Sequence, residues 1–328
     1  MKKSLLIFVI YSIVVLSITI ILSIQILKGE IREPPHLGEV TELIRGEEPE
    51  DQFIRSLKEF QEIDEIIKIQ EFNSLGFKDN EWQVTKPTNT YRIIALGDSM
   101  TFGAFVSNEF TWPKQLERKL NSLDLALKFE VFNMAGLEFD TGTPEELEIL
   151  KKFGLKYKPD MIILQYYNND WRSPEMKAKA KELWIKYERG EYKLPLKIET
   201  AIKELNATES VISRMIAEIV FEEYYRTMNW DEEWDKWTKK PLIEMIEITR
   251  ERNIKLIVIT WDSDEHQMDK LIPILENYSI PFYDFSEYLP WRSCPSSTRL
   301  PDCHLTPLGY EIVANRMLEI ILKEMTVS

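Results

Sequence analysis

The chain predicts an α/β domain, a parallel sheet with helices on both faces, and three observations lead there. Five short apolar runs lie between residues 91 and 285, and helical patterns separate them. Strands that alternate with helices need crossover connections, which build parallel sheets covered on both sides. The third observation is where the first run stops. RIIALGDSMTFG, residues 92–103, passes from an apolar run directly into Gly97, Asp98 and Ser99. These are ordinary turn residues, yet a serine at the carboxyl end of a parallel strand also sits where open α/β sheets bind ligands.

The strands are read at 91–96 (YRIIAL), 129–134 (FEVFNM), 160–167 (DMIILQYY), 255–260 (KLIVIT) and 281–285 (PFYDF). WPKQLERKL, with Pro113 in its first turn, reads as the helix between the first two. PEELEILKKFGLKY precedes the third strand and PLIEMIEITRERN the fourth. The last helix opens at Thr306-Pro307, an N-cap followed by proline at the first helical position. Leu308, Ile312, Met317 and Ile320 or Ile321 then share one face. Between the third and fourth strands lie roughly ninety residues, against the dozen a plain crossover needs. Val211, Met215 and Ile219, flanked by Ile212, Ile216 and Val220, form a wide apolar stripe there. Residues 171–240 are therefore read as a helical cap inserted beside the site.

The N-terminus is a separate matter. Leu5 to Leu27 carries no charge and is long enough for a bilayer, which takes roughly 20 residues. Lys2 and Lys3 precede it, so the positive-inside rule leaves the N-terminus in the cytoplasm and the remainder outside. The apolar core exceeds the ~7–15 residues of a cleaved signal peptide. Residues 1–28 are read as an uncleaved signal anchor of a single-pass cell-membrane protein, with its catalytic domain extracytoplasmic. Residues 29–90 are read as a stalk and helical extension, with Ile54, Leu57, Phe60, Ile63 and Ile67 at helical spacing.

A net charge of -14 and a pI near 5.0 argue against a nucleic-acid partner. Cys294 and Cys303 are close in sequence, and outside the cytoplasm such a pair forms a disulfide; free thiols are the alternative. WDSDEH at 261–266 groups Asp262, Asp264, Glu265 and His266, but adjacent acids in a loop are far more often solvated than metal-bound. No metal or cofactor is assigned, and oligomeric state is not readable.

In this architecture the carboxyl ends of the strands converge. The first delivers Gly97-Asp98-Ser99, the second Asn133-Met134-Ala135-Gly136 and the third Asn168-Asn169-Asp170. DCHLTPLGY, with Asp302 and His304, stands before the last helix. Together these blocks resemble the SGNH (GDSL-type) hydrolase family. The resemblance runs from NSLGF at 73–77 through KPTNTYRIIALGDSMTFG and GLKYKPDMIILQYYNND to CHLTPLGYEIVANRM, and spans most of the ectodomain except the insertion. It implies a three-layer α/β/α domain over residues 91–328, built on a flavodoxin-like sheet of about five strands. It implies Ser99 as nucleophile, His304 as base and Asp302 as its orienting acid. Ser99, Gly136 and Asn169 would line the oxyanion hole. Tyr167 stands where the family's third block has glycine. Glu138, not Gly136, holds the family's usual second-block glycine position. Asp302 precedes His304 by two residues where three are usual.

The implied activity is hydrolysis of carboxylic esters, O-acetyl esters or an acylated glycan among them. Transfer of the acyl group to a cell-surface polysaccharide is an alternative on the same site. A catalytically silent binding or assembly protein is the alternative from another class.

Overall fold

The computed structural model describes residues 71–104, 106–136, 141–205, 207, 209–261, 265–289, 296–299 and 304–326. The expected signal anchor (1–28), most of the stalk and helical extension, Glu138, Cys294, Asp302 and Cys303 lie outside these residues. Among the described residues no helix is long and apolar enough to cross a membrane.

Five parallel strands form one sheet: β1 (Thr90–Leu96), β2 (Lys128–Asn133), β3 (Met161–Gln165), β4 (Lys255–Thr260) and β5 (Phe282–Asp284). Their order is β2-β1-β3-β4-β5, the flavodoxin-like arrangement, in which β1 and β3 flank the point where the winding direction reverses. The side-chain period of two sorts the central strands onto two cores. Ile94 and Leu96 of β1, Ile162 and Leu164 of β3, and Leu256 and Val258 of β4 face one side. They meet α3 (Thr143–Lys152), α8 (Lys240–Glu251) and α9 (Glu265–Asn277). Ile93, Ala95, Met161, Ile163, Ile257 and Ile259 face the other side, against α2 (Trp112–Asn121) and α10 (Pro307–Thr326). Strands buried on both faces need the continuous apolar runs seen in the sequence.

One charge within those runs is buried outright. Arg92 is fully buried in β1, and its guanidinium reaches Glu130 on β2 at 2.7 Å. It also donates to the carbonyls of Gln83 and Tyr157 and lies over the Phe132 ring at 4.9 Å. A planar cation with five donors can satisfy several acceptors at once, so it fastens the segment before β1 to the sheet.

One reading is corrected here and another is made specific. PEELEILKKFGLKY is not one helix, because α3 ends at Lys152 and Gly154–Tyr157 makes a separate 3-10 turn. Gly154 packs where a Cβ would meet Leu150 Cδ1 at 3.0 Å, so the break also seats the backbone close to the core. The sequence reading expects a helical pattern between the fourth and fifth strands without naming its residues, and α9 fills that interval. Pro273 lies inside it, a residue that argues against helix from sequence, but Met268, Leu271 and Leu275 still fall on one buried face.

The interval between β3 and β4 is helical. It contains α4 (Pro174–Glu188), α5 (Leu196–Glu204), α6 (Glu209–Thr227) and α7 (Trp230–Trp234), then a π-helical turn leading into α8. Leu194, Ile198, Ile202, Ile212, Met215 and Ile216 give it a small core of its own. Arg172 ties its start to α6, bonding both carboxylate oxygens of Glu218 at 3.2 and 3.3 Å.

Candidate active site

β1 ends at Leu96, and the chain turns through Gly97 into α1 (Ser99–Phe102). Gly97 answers to a close approach: a Cβ there would lie 2.5 Å from Thr101 Oγ1 and 2.8 Å from Gln165 Oε1. Asp98 is the N-cap, its Oδ1 accepting the Met100 N–H at 2.9 Å. The Ser99 N–H belongs to the first turn of α1, where amides have no intrahelical carbonyl to bond. Gly103 closes the helix in the left-handed region, at φ 75°, and donates its N–H to the Ser99 carbonyl at 3.0 Å. The glycines at either end allow a one-turn helix to present a serine at the sheet edge.

His304 comes from the other end of the chain, and its Nε2 lies 3.0 Å from Ser99 Oγ. Both residues are half-buried, open enough for a substrate and shielded enough for a directed hydrogen bond. The base is held by its neighbours on the C-terminal side. Leu305 is buried and bridges to Arg299, whose buried guanidinium donates to the carbonyls of Leu289 and Trp261. Thr306 caps α10, its Oγ1 accepting the Gly309 N–H at 3.2 Å. Asp302, the expected orienting acid, lies outside the described residues.

Asn169 arrives from the turn after β3. Leu96 and Leu164 are paired in register, so this turn starts beside the one that carries Ser99. Asp170 fixes the turn by accepting the Tyr167 N–H at 2.8 Å. Asn169 lies near the Asp98 carboxyl and helps hold down its pKa against burial. An amide nitrogen carries two hydrogens, which makes Asn169 a candidate donor to a developing oxyanion. A buried relay supports the same turn from behind. Trp234 Nε1 donates to the Tyr166 hydroxyl at 3.1 Å, which donates to Gln267 Oε1, and Gln267 Nε2 donates to the Asn168 carbonyl at 2.9 Å.

Gln267→Leu would remove the acceptor of the Tyr166 hydroxyl proton and the amide that donates to the Asn168 carbonyl. It is expected to cost ~1–3 kcal/mol of stability, read from urea unfolding, and to slow turnover by loosening Asn169.

Gly136 does not fill its expected role in this geometry. Its N–H donates to the Gly97 carbonyl at 3.2 Å and is committed to the backbone. Its lack of a side chain has another use, since a Cβ would meet Thr141 Oγ1 at 1.8 Å.

Three acids lie fully buried behind the serine: Asp98, Asp170 and Glu146 on α3. Burial pushes Asp98 up to about 6, against the pull of the Met100 N–H, His304 and Asn169. Burial also raises Glu146 and Asp170 well above the usual carboxylate range. Repulsion from Asp98 adds to both, and Lys177 on α4 only partly offsets it. Neither carboxyl oxygen of Glu146 has a hydrogen-bond partner. Sequence reasoning missed Glu146 and Gln267, since neither belongs to a motif. The available signal was α3's inner face, where Glu146 stands beside the core residues Leu147 and Leu150. Among the described residues no group of three or more His, Cys, Asp or Glu side chains is arranged to hold a metal ion.

No protein-family model matches the chain, and no curated protein matches it. Solved structures with a similar course of chain include a two-domain esterase active on acetylated mannans, at 12% identity and a TM-score of 0.41. The match covers 71% of this chain and 49% of that one, so the chain spans about half the esterase's length. A GDSL-like lipase from Bacteroides thetaiotaomicron is similar at 12% identity and a TM-score of 0.39, covering 71% of this chain and 88% of the lipase.

Proposed function

We propose that the protein is a serine esterase of the SGNH type, acting on carboxylic esters outside the cytoplasm and tethered by residues 1–28. The observation that carries the reading is the 3.0 Å hydrogen bond between Ser99 Oγ and His304 Nε2 at the carboxyl end of β1. A serine hydroxyl is a weak nucleophile until a base takes its proton. In this reading Ser99 Oγ attacks the ester carbonyl carbon while its proton passes to His304 Nε2. Negative charge collects on the carbonyl oxygen, where the Ser99 N–H and the Asn169 side-chain amide stabilise it. Donors fixed before the reaction do this without reorganisation, and each is worth ~10²–10³ in rate. The intermediate collapses, His304 protonates the departing alkoxide, and water repeats the sequence on the acyl-enzyme. Asp302 holds the imidazole in the tautomer that leaves Nε2 free to accept.

The uncharged stretch Leu5–Leu27 supports the membrane address, and that address favours acyl groups on a surface glycan. The acyl-enzyme would pass to a sugar hydroxyl instead wherever an acceptor displaces water.

The test uses the full chain beside Ser99→Ala, treated with a fluorophosphonate probe and with chromogenic esters of increasing chain length, with and without a sugar acceptor. Labelling and turnover are expected in the first protein and absent in the second, with the fastest turnover on acetyl esters. A folded wild-type chain that neither labels nor turns over would leave the silent binding protein as the reading.

A further inference from the structure

Lys78 lies in the segment before β1, and it is fully buried. Among the described residues no carboxylate forms an ion pair with it. Its ammonium donates instead to two main-chain carbonyls, those of Gly103 and Val106, and rests over the Phe102 ring at 5.1 Å. Phe102 and Gly103 belong to the turn that begins with Ser99, and Val106 follows it. Gly103 is the helix terminator bonded to the Ser99 carbonyl, and the Val106 N–H donates to the Gly103 carbonyl at 3.2 Å. Burial without a counter-ion is costly for a cation and pushes this amine down to about 7. A fold that needed only to fill the space would do better with an apolar side chain of the same length.

The neighbouring residue acts on the next turn along the sheet. Asp79 Oδ2 accepts the Asn133 N–H at 2.9 Å at the end of β2, and Lys114 on α2 pairs with Asp79 at 3.0 Å. Asn133 in turn donates its side-chain amide to the Thr101 carbonyl at 3.1 Å. One short segment thus reaches the Ser99 helix twice, directly through Lys78 and indirectly through Asp79.

We infer that Lys78 is a positioning residue for the nucleophile: by holding the carbonyls of Gly103 and Val106 it fixes the one-turn helix that aims Ser99 Oγ at His304. The inference rests on the esterase reading for its consequence in rate, but not for its consequence in structure. Lys78→Met keeps the length and removes both donors. Hydrogen exchange of the amides in residues 99–106 is expected to accelerate at least ~10-fold, while those of β1 stay protected. The fluorophosphonate labelling rate and kcat are expected to fall at least ~10-fold with KM changed less than ~2-fold, the pattern of a group that matters in the transition state. Lys78→Arg, which retains donors for both carbonyls, is expected to restore slow exchange and most of the labelling.

Unchanged exchange in residues 99–106 of Lys78→Met would overturn the inference. So would labelling at the wild-type rate in a wild type that labels. Faster exchange everywhere in the molecule, unrescued by arginine, would make Lys78 a general stabiliser and overturn it too. If wild type does not label, the esterase reading fails, and the exchange comparison alone decides whether Lys78 holds the turn.

Discussion

His304→Ala is expected to lower kcat for ester hydrolysis by at least ~10³-fold while leaving the melting temperature within a few degrees of wild type. The size comes from the geometry. His304 Nε2 is 3.0 Å from Ser99 Oγ, and without it the hydroxyl must lose its proton to solvent. The small stability effect reflects the half-buried position of the imidazole. The fold on either side of it is held by Leu305, Arg299 and the Thr306 cap. Residual activity is expected, since the Ser99 N–H and Asn169 remain to bind the oxyanion. Single-turnover release of p-nitrophenol from p-nitrophenyl acetate measures the acylation step directly. A rate within a factor of about ten of wild type would remove His304 from the base role.

The second large effect concerns pH and comes from Glu146. A carboxyl whose pKa the fold raises binds its proton more tightly in the native state than in the unfolded chain. Its contribution to stability is complete below the unfolded value and is lost as pH rises through the native value. For Asp98 that window runs from about 4 to the native value of about 6. The directions for Glu146 and Asp170 extend it upward. Wild type is therefore expected to lose melting temperature as pH rises from about 4 through about 6 and above. Glu146→Gln keeps the shape and removes the charge, so its curve should be flatter. At the alkaline end it should melt at least ~2–4 °C above wild type, the shift that ~1 kcal/mol produces in a domain of this size. Scanning calorimetry across pH reads both slopes. Equal slopes would mean that Glu146 carries its charge in the native state and finds compensation elsewhere.

Much of this molecule is legible in the residues because its strands are buried on both faces. Ile93, Ile94, Ala95 and Leu96 stand out as one apolar block, and Gly97-Asp98-Ser99 ends it at a place the topology makes chemical. Thr306-Pro307 marks the last helix because capping is a local effect. The contacts that escape are those made at a distance along the chain. Gln267 bonds a carbonyl 99 residues away, and Lys78 reaches carbonyls 25 and 28 residues away. No local pattern announces either partner. Gly136 shows the opposite error. Its position after β2 suggests an oxyanion amide, but a glycine can also be demanded by crowding, and Thr141 supplies that crowding. The residues of helix α9 are hidden by Pro273, where tertiary packing of Met268, Leu271 and Leu275 outweighs a poor local propensity.

The sequence separation of 205 between Ser99 and His304 gives this protein a delay. A ribosome adds ~5–20 residues per second, so roughly 10–40 s pass after the serine is made before its partner exists. α10 is the final helix of the described chain and packs against α2 on the face of the sheet behind β1. On the esterase reading, Ser99 has no base until His304 is made and held beside it, so the half-made chain would not attack an ester.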